Sequence, residues 1–274
     1  MRAILFQLPF GLPLYAYGTM LCLSVAAGRI MAVRFAARDG LDPKLMDRAC
    51  VWALLGALVG TRLLYVVTNL DQFERVTDAF LFWRGGLVAY GGFLGGFAST
   101  VVFCRIHRVD LWAWVDCVAP SLCVGLLLTR VGCFLAGCDF GRPWDGPWAV
   151  SFPAGSPAFQ EQTLQGLLPA GATQSLAVHP TQLYESLAGL ALLLLVLAVR
   201  RRRTFAGQAF VALVPGYAVL RYLIEVFRAD LNRGFVGPFS TSQVIAVGTF
   251  LSAVVLFYVL RRGRSQVLDS PGSL

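Results

Sequence analysis

The sequence contains few charged residues and almost no lysine. Only 14% of its 274 residues are Asp, Glu, Lys or Arg, and 57% are hydrophobic, whereas a typical soluble domain is about 25% charged. A soluble core cannot bury that much apolar surface. The composition therefore favours one integral membrane domain over residues 1–274, with roughly 20 apolar residues for each crossing.

Several signals that would indicate other protein classes are also missing. Residues 1–10 show no basic region followed by an apolar core and a small-residue cleavage site, so we expect no cleaved signal. No glycine-rich phosphate loop opens a helix in a βαβ context, so we expect no soluble cofactor. Most of the seven Cys are scattered through apolar stretches and predict buried thiols rather than a disulfide framework; only Cys133 and Cys138 are placed as a pair.

Long apolar runs without strict alternation predict membrane-spanning helices rather than a barrel, because each helix satisfies its own backbone hydrogen bonds. We therefore expect an all-α polytopic membrane protein with about seven transmembrane helices. The predicted segments are Leu12–Val33, Asp47–Thr68, Gly86–Cys104, Leu111–Gly137, His179–Val199, Gly207–Phe227 and Thr241–Leu260.

The basic residues predict the orientation of these segments. The net charge is +8, yet the Arg residues cluster at the ends of apolar segments, so we expect membrane lipids rather than nucleic acid as the partner. One side receives 14 of the 23 basic residues, which by the positive-inside rule is the cytoplasmic side. The C-terminal tail, about 261–274, is then cytoplasmic and the N-terminus extracytoplasmic. The connection at about 138–178 predicts a small extracytoplasmic head between the fourth and fifth helices.

Four arginines lie inside the predicted crossings, in their outer halves. They are Arg62, Arg130, Arg221 and Arg228. An Arg in a crossing costs at least about 2.5 kcal/mol on insertion scales, so each one needs a reason. Neither Arg62 nor Arg130 has an acidic neighbour at helical spacing, so we expect unpaired guanidiniums that bind an arriving anion. In a bilayer that anion is a lipid phosphate, which Arg can bind with two hydrogen bonds.

The sixth segment carries a polar stripe. Tyr217, Arg221, Glu225 and Arg228 are spaced by four, four and three residues and share one face of a helix. An alternative explanation is an ion pair between Arg221 and Glu225 that neutralises itself within the helix. That pair would still leave one of the two arginines uncompensated.

Other candidates lie near the outer ends of segments. Tyr17 and Tyr90 have this position, which is also typical of tyrosines that anchor a helix at the membrane interface. His179 precedes Pro180 at the start of the fifth segment, and the alternative to a functional role is that it simply caps the helix. Glycines in the second and third segments favour close helix packing.

From Tyr17 to the end of the seventh segment, the sequence resembles the prolipoprotein diacylglyceryl transferase family. The resemblance rests on the order and spacing of several motifs rather than on any one of them. They are Tyr17-Gly18, Gly60-Thr61-Arg62, GGLVAYGGFLGG at 85–96, Asp116 to Pro120, Arg130-Val-Gly-x-Phe134 with Gly137 and Gly141-Arg142, HPTQLYES at 179–186, and Tyr217-x3-Arg221-x3-Glu225-x2-Arg228.

The resemblance implies an enzyme of the bacterial plasma membrane. It would move the diacylglyceryl group of phosphatidylglycerol to the thiol of the lipobox cysteine of prolipoproteins, releasing glycerol phosphate. Its partners would be phosphatidylglycerol, the prolipoprotein lipobox and membrane lipids. A lipid transporter or a non-catalytic paralogue that binds anionic lipid is the alternative, although no internal repeat typical of transporters is found.

Individual roles follow from the resemblance. Arg130 resembles the arginine that holds the phosphatidylglycerol headgroup, Arg221 resembles an essential sixth-helix arginine, and Tyr17 resembles an essential first-helix tyrosine. We hypothesise that Arg130 and Arg221 clamp the phosphate while Glu225 orients Arg221 or takes the thiol proton. The weaker candidates for the base are His179, Glu185 and Tyr90. The further residues predicted to bind the substrate are Arg62, Arg228, Tyr217, Gly132 and Gly137.

The sequence departs from the family at several of these motifs. Tyr90 stands where many members have His, and Cys133, Ala136 and Cys138 stand where they have Asn, Asn and Glu. Asp139 could replace the missing acid. The two Cys could form a disulfide or bind a metal; with no His near them in sequence, no metal site is predicted.

Overall fold

The computed structural model describes residues 4–7, 9–11, 13–70, 73, 77, 85–86, 88–229 and 234–268. The chain is mostly helical. Its helices are α1 (Ala16–Arg38), α2 (Pro43–Thr68), α3 (Ala89–His107), α4 (Leu111–Ala136), α5 (Pro157–Leu164), α6 (Thr181–Arg202), α7 (Gln208–Glu225) and α8 (Thr241–Leu268). Two antiparallel hairpins add β1 (Ile4–Gln7) with β2 (Pro13–Tyr15), and β3 (Phe235–Val236) with β4 (Phe239–Ser240).

Six of the described helices are long and apolar enough to cross a membrane: α1, α2, α3, α4, α6 and α8. Helix α7 is not among them, because Arg221 and Glu225 lower the mean hydropathy of a helix of only 18 residues. The all-α prediction holds for the mostly helical character and was wrong about the two hairpins. Their strands are only two to four residues long, too short to show the alternation by which a strand is predicted from sequence.

The chain divides into two compact units. The first unit contains residues 1–30 and 118–274, and the second contains residues 31–117. In the first unit α7 packs against both α6 and α8, and in the second unit α2 packs against α3. Glycines form the contact between α2 and α3. A Cβ atom at Gly60 or Gly91 would overlap the carbonyl oxygen of the other residue, so only glycine permits this distance between the helices.

The segment 138–178 folds around its own small apolar cluster. Phe140, Phe152, Ala158 and Val178 are buried together, and Phe134 of α4 packs against them. The short helix α5 begins at Ser156, whose Oγ accepts a hydrogen bond from the Phe159 backbone N–H at 3.3 Å. This is the segment for which the sequence predicts a small extracytoplasmic head; we call residues 138–178 the head, and its side of the membrane stays a prediction.

The end of α4 determines how the chain enters this segment. Gly137 has φ +81°, and the backbone N–H groups of Gly137 and Cys138 both donate to the carbonyl of Cys133, at 2.8 and 3.2 Å. The bond from Cys138 is the one that defines a Schellman cap, with glycine in the left-handed position. A Cβ at Gly137 would lie 2.9 Å from Cδ1 of Phe152. Gly137 therefore ends α4 and lets the head pack directly on its last turn.

The predicted segments and the helices agree best in the middle and differ at the ends. Helix α1 continues to Arg38 and α2 begins at Pro43, whose preceding residue Asp42 caps the helix by accepting from the Lys44 N–H at 2.8 Å. The predicted tail, 261–274, begins inside α8, and its residues 269–274 lie outside the described residues.

Candidate active site

Three arginines and three carboxylates meet in the first unit, and we call this group the arginine cluster. Its members are Arg130, Asp139, Glu185, Arg221, Glu225 and Arg228. Glu185 lies at its centre. Its Oε2 pairs with Nε of Arg130 at 2.5 Å, and its Oε1 pairs with Nη1 of Arg221 at 2.6 Å and with Nη1 of Arg228 at 3.4 Å.

The other two carboxylates complete the cluster. Asp139 accepts from Nη1 of Arg130 at 2.5 Å through one oxygen and from Nη2 of Arg228 at 2.9 Å through the other. Glu225 pairs with Nη2 of Arg221 at 2.8 Å. Two of the three arginines therefore share Asp139, and all three share Glu185.

The prediction of unpaired guanidiniums was wrong. Arg130 has two carboxylate partners, but they come from α6 and from the loop after α4, so no helical spacing reveals them. The ion pair within α7 exists, yet it is not the whole explanation, because Arg221 also reaches Glu185 in α6. Arg130 and Arg221 do converge, as expected, but in a charge-balanced group.

Exposure varies across the cluster and shows from which side a ligand can approach. The side chains of Glu225 and Glu185 are 1% and 5% exposed, whereas those of Arg130 and Asp139 are 21% and 34% exposed. Arg130 and Asp139 are thus the members of the cluster that a ligand would reach first. Within the described part of the chain, Nη2 of Arg130 has no carboxylate within ion-pair distance, so its N–H donors are available to a ligand.

Asp139 is held in a special conformation. Its φ is +56°, a region in which Asp is one of the few side chains found with any frequency. Burial opposes ionisation of this carboxyl group, but Arg228 and Arg130 outweigh burial and hold the pKa of Asp139 below its usual 3.8. Asp139 is therefore negatively charged at neutral pH.

The start of α6 holds Asp139 in place. Thr181 donates through Oγ1 to the Asp139 carbonyl at 2.7 Å, and Gln182 donates through Nε2 to the Cys138 carbonyl at 2.6 Å. Both side chains are fully buried. The His-Pro-Thr-Gln motif thus binds the backbone of the turn that carries Asp139.

The next turns of α6 pack on α4. Ser186 donates to the Leu127 carbonyl at 3.0 Å, and a Cβ at Gly189 would lie 2.9 Å from the Leu127 nitrogen. This close approach brings Glu185 within reach of Arg130. The signature HPTQLYES therefore positions two of the three carboxylate-bearing elements of the site.

Two predicted glycines have structural roles at the site. A Cβ at Gly132 would lie 3.2 Å from the Tyr17 Cα and 3.0 Å from the Met20 Cβ, so Gly132 lets α1 pass close to α4. Gly137 forms the cap described above. Tyr17 of α1 therefore lies beside the turn of α4 that follows Arg130, and it is 42% exposed. Contact of Gly132 and Gly137 with a substrate stays a prediction.

His179 belongs to an aromatic cluster formed by Trp144, Trp148, His179, Tyr184 and Phe227. Its ring stacks on Trp144 at 4.3 Å, and its Nδ1 lies 3.1 Å from the Tyr184 hydroxyl, which accepts from Nε1 of Trp148 at 2.7 Å. Burial and the charge of Arg142 hold the pKa of His179 below its usual 6.5. The imidazole is therefore neutral at pH 7.

The remaining predicted residues have other surroundings. Arg62 is in the second unit, where it is buried, donates to the carbonyls of Gly85 and Gly86 at 2.6 and 3.1 Å, and lies over the ring of Tyr65. It fixes the turn before α3. Tyr90 is in the first turn of α3 and is 45% exposed. Tyr217, in the first unit, packs against the apolar core that α4, α6 and α7 share.

Sequence reasoning gave Glu185 and Asp139 too little weight. Glu185 shares a buried stripe of α6 with Thr181, Ala188 and Leu192, at spacings of three and four residues. A carboxylate on such a stripe requires a cationic partner, and this signal could have found it. The structure also brings Cys133, Cys138 and Asp139 together, with one potential ligand atom of each within 4.8 Å of the others.

These features define a polytopic membrane protein whose first unit contains a largely buried site of paired arginines and carboxylates. The chain belongs to the prolipoprotein diacylglyceryl transferase family, whose model matches residues 3–259.

Curated relatives resemble the chain over nearly its whole length. A protein of Clostridium tetani is 30% identical over 95% of this chain and 98% of its own. Proteins of Synechococcus elongatus and Thermus thermophilus are 31% and 32% identical, over 92% and 90% of this chain and 86% and 93% of their own. Each of the three is named a phosphatidylglycerol–prolipoprotein diacylglyceryl transferase.

Proposed function

We propose that the chain transfers the diacylglyceryl group of phosphatidylglycerol to the thiol of a prolipoprotein lipobox cysteine. The observation that supports this best is the convergence of Arg130, Arg221 and Arg228 on Glu185 in a member of this family. Guanidiniums in a fixed array match the oxygens of one phosphodiester.

The reaction forms one bond and breaks another. The thiol sulfur attacks the glyceryl carbon next to the phosphate, a C–S bond forms, the C–O bond to the phosphate breaks, and glycerol phosphate leaves. The thiol proton passes to a base, because the thiolate is the nucleophile. Negative charge grows on the departing phosphate, and positive groups already in place stabilise it without reorganisation.

The charge-balanced cluster suits this task. Asp139 and Glu185 hold Arg130 in position before the lipid arrives, and the exposed N–H groups of Arg130 donate to the phosphate. The phosphate competes with Asp139, the most exposed carboxylate of the cluster, for Nη1 of Arg130. Glu225 orients Arg221 through their ion pair of 2.8 Å.

The residue that accepts the thiol proton also belongs to this proposal. Asp139 is a poor base because its pKa is lowered. His179 is neutral at pH 7 and can accept a proton. Tyr17 and Tyr90 keep their predicted catalytic roles, and Arg62, Arg228 and Tyr217 their predicted contribution to lipid binding.

We further propose that α7 crosses the membrane as a seventh span, with the chain forming one integral membrane domain of the bacterial plasma membrane. The head at 138–178 and the N-terminus would be extracytoplasmic and the C-terminus cytoplasmic. The distribution of arginines supports this orientation.

Purified protein assayed with labelled phosphatidylglycerol and a lipobox peptide tests the function by the appearance of a thioether product. Arg130→Ala and Arg221→Ala should each reduce turnover about a hundred- to a thousandfold. Arg130→Lys keeps the positive charge but lacks the planar, paired N–H donors of a guanidinium, so its turnover should also be reduced. Arg201→Ala, at an exposed position in the last turn of α6, is the matched control. Normal turnover of folded Arg130→Ala and Arg221→Ala proteins would refute the assignment.

A further inference from the structure

Cys133 and Cys138 occupy two related positions of the cap that ends α4. Cys133 supplies the carbonyl and Cys138 the N–H of the hydrogen bond that defines the Schellman cap, at 3.2 Å. Side chains at these two positions usually touch. Here their sulfur atoms lie within 4.8 Å of each other, and both residues are thiols. The cap therefore keeps the two thiols near each other, as disulfide formation requires.

The two thiols differ in their surroundings. Cys133 is buried, and its sulfur accepts from Nη1 of Arg130 at 3.9 Å, whereas Cys138 is partly exposed. The neighbouring Cys133 side chain lowers the pKa of the Cys138 thiol, although burial and Asp139 oppose this, and the thiol of Cys138 donates to the Cys133 carbonyl at 3.7 Å. Cys138 is thus the more accessible thiol and the one more readily ionised.

We propose that Cys133 and Cys138 form a redox-active dithiol site beside Arg130, in which Cys138 attacks an external disulfide and Cys133 resolves the product. The co-reactant is a small-molecule or protein disulfide. The nearness of the two sulfurs, the exposure of one and the burial of the other support this order.

The exchange balances in two steps. The Cys138 thiolate attacks one sulfur of the external disulfide, forming a mixed disulfide and expelling one thiolate. Cys133 then loses its proton to solvent and attacks the Cys138 sulfur, forming the Cys133–Cys138 bond and expelling the second thiolate. The external disulfide gains two electrons, and the protein loses two thiol hydrogens.

A metal ion fits these residues less well than a disulfide. The third potential ligand, Asp139, already accepts from Arg130 and Arg228 through both of its oxygens. A cation held by the two sulfurs and Asp139 would lie beside two guanidiniums that repel it. Disulfide formation adds no charge to the cluster.

The bond would also affect the site, in a way that rests on the proposed function. A disulfide across the cap stiffens the turn that leads directly into Asp139, which then leaves Arg130 less easily. Since the lipid phosphate must compete with Asp139 for Arg130, the oxidised protein should have a higher KM for phosphatidylglycerol than the reduced protein.

The experiment treats the purified full-length protein with oxidised glutathione, alkylates the remaining thiols under denaturing conditions and analyses peptides by mass spectrometry. In the unsubstituted chain, both cysteines should escape alkylation and their peptide should lose two hydrogens. Cys133→Ser should leave Cys138 as a stable glutathione adduct, and Cys138→Ser should leave Cys133 as a thiol. Buried Cys123 is the internal control and should stay alkylatable.

Alkylation of both cysteines in the oxidised unsubstituted chain would overturn the proposal, and a glutathione adduct on Cys133 in Cys138→Ser would overturn the order of attack. If the disulfide forms and KM does not rise, the link to Asp139 is wrong. Absence of transfer by the reduced protein would instead contradict the proposed function and leave the mass-spectrometric result as it stands.

Discussion

Glu185 connects three guanidinium groups through a single buried carboxylate. Arg130 comes from α4 and Arg221 from α7. The guanidinium of Arg130 lies 2.5 Å from one oxygen of Glu185, and that of Arg221 lies 2.6 Å from the other. Removing one partner of a buried ion pair leaves the other partner charged and without compensation, which is far worse than losing a surface pair. Glu185 is therefore both a stabilising and a positioning residue.

Replacing Glu185 by Gln tests this role. The neutral amide leaves three guanidiniums facing two carboxylates, so we expect the free energy of unfolding to fall by about 3–5 kcal/mol. Turnover should fall as well, because Arg130 and Arg221 lose their common acceptor. Thermal unfolding in lipid nanodiscs and the thioether assay measure the two effects. Asp145→Asn, at an exposed position of the head, is the control and should change neither.

A second prediction concerns the protonation of His179. Burial and Arg142 hold its pKa below 6.5, so the neutral ring stabilises the fold fully above about pH 6.5, and this contribution is lost as the pH falls towards the lowered pKa. Arg142→Ala removes the smaller of the two causes and should move the pKa upwards. The fluorescence of Trp144, which stacks on the ring at 4.3 Å, should report the titration.

The control variant for this titration keeps a positive charge at position 142. Arg142→Lys should leave the pKa of His179 low, and His179→Gln should abolish the transition. A His107→Gln background removes the only other histidine. Equal pKa values in the Ala and Lys variants would show that Arg142 does not act on the ring.

At the scale of single residues, sequence analysis finds charges but not their partners. Arg130 and Arg221 could be predicted as site residues because a charge in an apolar run needs a reason. The contact of Arg221 with Glu185 spans 36 positions and that of Arg228 with Asp139 spans 89, whereas Arg130 reaches Asp139 across 9 positions that include the end of α4. Periodicity along one helix contains no information about such contacts.

At the scale of elements, apolar runs predicted where helices lie but not where they end. The described α1 extends five residues past the predicted Val33, and α8 continues beyond Leu260 through basic residues. Arg side chains can keep an apolar stem along the helix and a charge in water, so a helix need not end where its apolar run does. Caps such as Asp42 and Gly137 set the ends instead.

The contact between α2 and α3 gives a prediction for an element. A methyl group at Gly60 or Gly91 meets backbone atoms, which cannot rotate away. Gly60→Ala and Gly91→Ala should therefore separate the helices and destabilise the protein by about 1–3 kcal/mol. Thermal unfolding in nanodiscs measures this loss.

Gly125 of α4 provides the matched control, since a Cβ there meets no atom of the described residues within 4 Å. Gly125→Ala should be neutral or stabilising by up to about 1 kcal/mol, because alanine restricts the unfolded chain more than glycine does. Losses of the same size at all three positions would show that the close approach of α2 and α3 is not what makes glycine necessary at positions 60 and 91.

At the scale of the whole molecule, the site and the membrane make opposing demands on α7. Arg221 and Glu225 belong to the arginine cluster, and the same two charges make α7 less apolar than the six helices that qualify as spans. Pairing within the cluster neutralises these charges, which lowers the cost of placing α7 in a bilayer. A helix that contributes to a buried ionic site can therefore cross a membrane with a lower hydropathy than its neighbours.

Cysteine accessibility across α7 tests this topology. Ala206 precedes α7 and Val236 follows it, and both are exposed. If α7 crosses the membrane, Val236→Cys in intact cells should react with a membrane-impermeant maleimide and Ala206→Cys should react only after the membrane is opened, each measured against the labelling of the unsubstituted chain. Leu164→Cys in the head, at a position 88% exposed, should behave like Val236→Cys. Equal labelling at 206 and 236 would mean that α7 does not cross, and labelling of 206 alone would reverse the orientation that the arginines predict.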